Sequence, residues 1–318
     1  MYSESYRDIL KEAGVRILIS YATTRRRRNI GEYDSFYAKL PYGFNEILID
    51  SSAYQLQMNV KTAMNINIHE YSTWLHTALE EHSEISGYFN LDILGDGLKT
   101  LDHQFRMEKE YGLKPIPVWH AGEEEHFLQF YYENYEYISV GGLVSASAGK
   151  QALRNLVGLL HQKYPNCKYH FFGIGITATS IFSEWRPYSV DFSTWSNAAR
   201  FGSHIVIDPK QLLKEVALPL EIKKQMLKYK IKCPIDDCGY EDEFSFEMIA
   251  HLVTQHKMDR DLAKEKVHKI KKNLKSAEER QIAEKTVHRH LRESVEVFKT
   301  LEETIETIHS PNHQLLMI

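Results

Sequence analysis

The chain has 318 residues, 43% of them hydrophobic, and a formal net charge of -4, which is enough apolar material for one large core and a smaller second unit. No run of about 18 apolar residues occurs, and Met1-Tyr2-Ser3-Glu4 is polar where a signal peptide has its apolar segment, so a cytoplasmic protein without a membrane span is expected. Three cysteines exclude a secreted disulfide framework, and the acidic balance excludes a generally basic nucleic-acid binder, leaving only local patches for such contacts.

In chain order, apolar runs of strand length lie at residues 15–19, 47–49, 88–93, 115–119, 137–140, 169–174, 188–190 and 204–207. Segments of helical period fill several gaps, at 69–82, 101–111, 123–135 and 150–164, with acidic or small residues near their starts. Alternating strands and helices predict parallel βαβ units. Eight strands within about 200 residues predict an α/β fold of the (β/α)₈ TIM-barrel type, with a doubly wound sheet as the alternative. The barrel is expected over 1–210. From 211 to 318 the character changes to a zinc-finger-like and helical nucleic-acid-binding region, and 310–318 reads as a frayed end.

A barrel of this kind keeps its chemistry at the C-terminal ends of its strands. The residues found there are Asp50, Asp92, His120, Gly141-Gly142-Leu143, Phe172-Gly173 and Asp191. Two carboxylates at strand ends suit glycosyl transfer, in which one attacks an anomeric carbon and the other protonates the departing group. No Gly-rich phosphate loop of the P-loop form is present.

Two stretches carry a family resemblance. Glu46-Ile47-Leu48-Ile49-Asp50-Ser51-Ser52-Ala53-Tyr54-Gln55 and Ser189-Val190-Asp191-Phe192-Ser193-Thr194-Trp195, the latter followed by Ala199-Arg200-Phe201-Gly202, resemble the tRNA-guanine transglycosylase superfamily. They look most like its phage branch, the DNA transglycosylases that exchange guanine for a 7-deazaguanine and so shield phage DNA from host restriction. The resemblance covers roughly residues 15 to 207. It implies a pentosyltransferase with Asp191 as nucleophile and Asp50 as general acid/base. Tyr54 and Phe172 would stack on the two faces of the purine. Asp92 would accept from the guanine ring N–H and amine, and the Gly141-Gly142-Leu143 and Gly173 backbone would border the base. His120 stands where tRNA enzymes of the family carry a polar base-reading residue. Ser52 and Ala53 replace two glycines of the family motif. The implied partners are DNA, with tRNA as the alternative polymer, and a free 7-deazaguanine base. Relatives often dimerise, so a homodimer is also among the expectations.

Cys233, Cys238, His251 and His256 stand with four, twelve and four residues between them, a spacing that fits a structural, tetrahedral two-Cys, two-His zinc. Tyr240 and Phe244 are placed to pack behind the metal, with Met248 three residues before His251. Two basic features supply candidate phosphate contacts. Arg25-Arg26-Arg27-Arg28 follows the first strand, and residues 257–292 hold twelve Lys or Arg against six Asp or Glu. Rival readings from other classes are a glycoside hydrolase using the Asp50 and Asp191 pair, and a non-catalytic nucleic-acid-binding barrel protein.

Overall fold

A computed structural model of the chain describes residues 4–29, 32–34, 40, 43–58, 66–143, 149–174, 181, 184–191, 203–208, 212–217, 231–242, 245–273, 286–297, 299–301 and 316–317. It is a mixed α/β structure with parallel sheets. β1 (Ile17–Ser20) pairs in parallel with β4 (Ile47–Asp50), and β4 with β5 (Ile85–Tyr88). A second parallel set runs through β6 (Val118–His120), β7 (Tyr137–Gly141), β8 (Lys168–Phe171) and β9 (Ser189–Val190). The two sets are joined where Phe89 bridges Ile116, with Ile116 N–H donating to Tyr88 O and Asn90 N–H donating to Ile116 O.

The helices between the strands form where apolar residues recur at three- and four-residue spacing and a polar residue caps the start. The helix Ile68–Glu81 buries Ile68, Tyr71, Trp74, Leu75 and Ala78, and the Asn67 side chain accepts from Glu70 N–H. The helix Gly97–Lys109 begins at Asp96, which accepts from Lys99 N–H, and ends with Arg106 and Lys109 against its negative pole. The helices Glu125–Asn134 and Gly149–Lys163 complete the set. All four match the segments of helical period read from the sequence to within a few residues.

Strand alternation sorts the side chains onto two faces. Ile19, Ile47 and Ile49 join the core shared with the helix Ile68–Glu81, whereas Leu48, Phe89 and Val118 form a separate buried cluster with Leu18, Ile116 and Phe172. Trp119, Ile138, Val140, Tyr169 and Phe171 pack with the helices after β6 and β7. Ser20, Asp50 and His120 therefore share the face of Leu18, Leu48 and Val118, away from the helices.

Two expectations are corrected. The run 204–207 was read as the eighth barrel strand, but β10 (Ser203–Asp208) pairs antiparallel with β11 (Leu212–Ala217). Its backbone is paired by a hairpin partner close in sequence. The residues read as a frayed end instead supply β14 (Leu316–Met317), which pairs in parallel with β9 at Ser189 and Val190. Packing also reaches past 210, because Val295 is buried in the core shared with the helix Ile68–Glu81 and Leu301 in the core around Trp119, Ile138 and Tyr169. The chain thus returns to the strand layers after the cysteine- and histidine-bearing unit. Among the described residues, no helix is long and apolar enough to cross a membrane.

Candidate active site and metal centre

β1 and β4 lie in register with Ser20 opposite Asp50, and the chain turns sharply after Asp50. Ser52 makes that turn with φ 78 and ψ 24, the left-handed conformation usually left to glycine. Its hydroxyl lies 2.7 Å from Ser20 Oγ and accepts from Ala22 N–H at 2.7 Å. The Asp50 carboxylate is hydrogen-bonded by the Ser20 hydroxyl and Ser52 N–H, yet burial and the charges of Asp92 and Asp191 outweigh these donors. Its pKa is pushed up to about 7. Asp92 and Asp191 therefore both lie close enough to act on Asp50, which is poised to exchange a proton near neutral pH.

Asp92 is buried at the start of the β5–α loop. Ser51 Oγ–H donates to its Oδ1 at 2.6 Å, and His120 Nε2 lies 2.8 Å from its Oδ2. The other ring nitrogen of His120 lies 2.8 Å from Glu123 Oε1. Burial alone would lower the His120 pKa, but the two flanking carboxylates prevail and raise it to about 9, so the ring is an imidazolium donating from both nitrogens. The ring packs against Gly141, where a Cβ would sit 2.7 Å from His120 Cδ2, so any side chain at 141 would displace it. Gly142 follows with φ +75, and Leu143 packs at the edge of the neighbouring core. An incoming hydrogen-bond donor would use the second acceptor direction of each Asp92 oxygen.

Asp191 follows β9, and Gly173 N–H donates to its Oδ1 at 2.8 Å. Gly173 has φ 66, which turns the chain after Phe172 and aims that N–H at the carboxylate. Phe172 contacts Phe89, with ring centroids 4.6 Å apart. Tyr54, on the short helix Ala53–Gln57, is 55% exposed and so available to a ligand. Residues 192–202, which carry the rest of the second motif, lie outside the described residues.

The arginine run divides. The side chain of Arg25 is buried, and its guanidinium lies 2.9 Å from Glu70 Oε1, which also accepts from Tyr21 O–H. The backbone of Arg26–Asn29 forms β2 against β3 (Glu32–Asp34), while the side chains of Arg26, Arg27 and Arg28 lie outside the described residues.

The four predicted metal ligands come together. β12 (Ile231–Lys232) and β13 (Glu241–Asp242) form a hairpin carrying Cys233 and Cys238, and the helix Ser245–Thr254 presents His251. Ligand atoms of Cys233, Cys238, His251 and His256 all lie within 4.8 Å of one another. Cys–His separations are 3.5, 3.2 and 3.2 Å, and the two Nε2 atoms are 3.1 Å apart. Tetrahedral zinc, with bonds of about 2.3 Å to S and 2.0–2.1 Å to N, would place S···N near ~3.5 Å and N···N near ~3.3 Å, so the donor set fits. Tyr240 stacks on the His251 ring at 3.9 Å. Met248, Leu252, Ala263 and Val267 form the small core behind, which adds the helix Arg260–Asn273 to the hairpin and first helix.

The sequence reading missed Ser20, Ser51, Glu123 and the group Tyr137, His170 and Ser189. Strand parity is the signal that marks most of them: Ser20 and His170 stand two residues from Leu18 and Phe172 and so face the same side. No protein-family model matches the chain, and no curated protein matches it.

Proposed function

We propose that the protein is a base-exchange glycosyltransferase that replaces guanine in DNA with a 7-deazaguanine such as 7-cyano-7-deazaguanine. Membership of the tRNA-guanine transglycosylase superfamily, in its phage DNA branch, is part of this reading. So is closure of the parallel strands into a (β/α)₈ barrel, with β14 completing it against β1. The observation that carries it is the convergence of Asp50, Asp92 and Asp191 beside the strand ends, with Asp50 pushed up to about 7. A glycosidic exchange asks for one carboxylate able to attack and another group able to hold a proton at working pH.

In this mechanism Asp191 Oδ2 attacks C1′ of the nucleotide while Oδ1 stays on Gly173 N–H. The C1′–N9 bond breaks, its electron pair leaves with guanine, and Asp50 supplies the proton that neutralises the departing base. The incoming 7-deazaguanine gives a proton back to Asp50 and displaces Asp191 from C1′. Two inversions restore the original configuration, and the ester to Asp191 conserves the bond energy between the steps. Asp92 accepts from the Watson–Crick edge of the base, its orientation fixed by Ser51 and His120. Gly141 and Gly142 leave the facing edge open, and Tyr54 and Phe172 flank the ring. In duplex DNA the target nucleotide has to leave the stack first, at a cost of a few kcal/mol.

Cys233, Cys238, His251 and His256 would hold a structural zinc. With protein ligands in all four positions, the ion organises the hairpin and helices and leaves no open site for chemistry.

The test incubates wild-type and Asp191→Asn protein with a labelled 7-deazaguanine and either guanine-containing DNA or tRNA. Expected are a denaturant-resistant protein–DNA adduct and base incorporation with the wild type only. Incorporation confined to tRNA would reassign the polymer, and release of free sugar would favour the hydrolase. An adduct with Asp191→Asn would sink the nucleophile assignment.

A further inference from the structure

Beneath Asp191 lies a polar chain that the mechanism above does not use. His170 is fully buried on β8, with its ring 4.8 Å from Phe89 and 4.6 Å from Phe172, centroid to centroid. Its Nδ1 lies 2.7 Å from Ser189 Oγ, which in turn lies 2.7 Å from Tyr137 Oη. Its Nε2 points to Asp191 Oδ1 at 3.6 Å and meets no other hydrogen-bonding partner among the described residues. The three members come from β7, β8 and β9, adjacent parallel strands whose register sets His170 opposite Ser189.

We propose that His170 is a positioning residue for Asp191, held by Tyr137 and Ser189 in the tautomer that carries its proton on Nε2. The inference rests on the reading of Asp191 as nucleophile. Two tautomers are open to a neutral imidazole. With hydrogen on Nδ1, the ring would donate to Ser189 and turn the bare lone pair of Nε2 toward a carboxylate oxygen, which is repulsive. With hydrogen on Nε2, every bond has one donor and one acceptor. Tyr137 O–H donates to Ser189, Ser189 O–H donates to Nδ1, and Nε2–H faces Asp191 Oδ1. The flanking phenylalanines restrict rotation of the ring, so the donor direction is built into the fold.

Oδ1 is thereby addressed by Gly173 N–H and by His170, and Oδ2 is the oxygen left to meet C1′. In the ester, Oδ1 is the carbonyl oxygen and the same two donors remain. When the incoming base displaces Asp191, negative charge returns to the carboxylate and Nε2–H is already aimed at it. A gap of 3.6 Å in the free protein can close as charge develops, as catalytic hydrogen bonds often do.

The experiment compares His170→Leu, His170→Gln and Ser189→Ala with wild type in base exchange on guanine-containing DNA. A misplaced nucleophile costs on the order of 10²-fold in kcat, so His170→Leu should fall by that much with KM for the base within about twofold. His170→Gln, whose amide N–H reaches roughly where Nε2 stood, should recover most of the loss. Ser189→Ala should lie between them, and it decides the matter if His170→Leu does not fold. A second readout needs no turnover: ¹⁵N-histidine NMR of wild type, with the His170 signal identified by its absence in His170→Gln, should show protonated Nε2 and bare Nδ1. A folded His170→Leu with wild-type kcat, or a proton on Nδ1, would overturn the role of His170. If Asp191→Asn still abolishes exchange in that case, the nucleophile reading stands. If wild type neither forms the adduct nor exchanges base, that reading falls and takes this inference with it.

Discussion

Asp50→Asn should stabilise the protein at alkaline pH while removing the proposed acid/base. In the folded chain the Asp50 pKa rises from 3.8 to about 7, chiefly by burial and then by Asp92 and Asp191. A raised carboxylate binds its proton more tightly when folded than when unfolded. Its contribution is therefore fully present below the unfolded value and is lost as pH rises through the folded one. Integrating that difference from pH 5 to pH 8 gives a loss of roughly 2.5 kcal/mol attributable to Asp50, an upper figure because the side chain is only partly shielded. An asparagine has no charge to bury, so the variant lacks this slope. It does lose one acceptor from the pair that meets Ser20 O–H and Ser52 N–H, a cost near ~1 kcal/mol that does not vary with pH. The assay is urea unfolding of both proteins at pH 5, 6, 7 and 8, taking the difference at each pH so that common titrations cancel. The stability of Asp50→Asn relative to wild type should grow by about 2 kcal/mol across that range, while base exchange falls by about 10²–10⁴-fold. A difference independent of pH would refute the raised pKa and remove the main support for Asp50 as a proton carrier near neutrality.

Metal analysis should give one zinc per chain, and chelation or Cys233→Ser should melt the hairpin and its two helices while the adduct at Asp191 still forms. Less than about half an equivalent of zinc would count against the site. Arg25→Ala should act on folding and not on the polymer. Stranding Glu70 costs about 3 kcal/mol in denaturant unfolding with the salt dependence of DNA binding unchanged, and a flattened salt slope would return Arg25 to the phosphate contacts. Ser52→Ala should be less stable than Ser52→Gly by about 1 kcal/mol, because both lose the hydroxyl's bonds to Ser20 and Ala22 but only alanine still bears the left-handed backbone cost. The reverse order would show that the turn relaxes when the hydroxyl is lost.

Asp50 and Asp191 were legible because each ends a short apolar run, and parallel strands gather such ends on one side. The cluster of Cys233, Cys238, His251 and His256 was legible because its spacing reflects one hairpin, one helix and the turn after it, all local in sequence. Non-local pairing is what the sequence concealed. The apolar run at 204–207 fits a hairpin as well as a barrel strand, since an apolar run does not reveal the neighbour that pairs with it. β14 spans only Leu316–Met317, too short for any period to register. Arg25 read as one of four equivalent charges until the fold brought Glu70 from a later helix to meet it. The Tyr137, Ser189 and His170 chain is similar, because three strands contribute one residue each and nothing in any single strand announces the others.

The two catalytic candidates differ in what surrounds them, and the roles proposed for them rest on that difference. Asp50 faces two like charges, with a hydroxyl and one backbone N–H to support its anion. Asp92 would repel it further were it not itself bonded to the His120 imidazolium, which Glu123 holds from the other side. That arrangement places a cation behind Asp92 and none of its N–H groups on Asp50. Asp191 instead receives Gly173 N–H on one oxygen, with His170 directed at the same atom. A carboxylate gripped through one oxygen is suited to attack with the other, because its orientation is fixed before the substrate arrives. A carboxylate left short of donors among like charges is suited to keep a proton and release it when the charge nearby changes. In the proposed exchange, consumption of the Asp191 charge on ester formation is such a change. It removes one of the repulsions that raise Asp50, so the proton is held least tightly at the step when the departing base needs it.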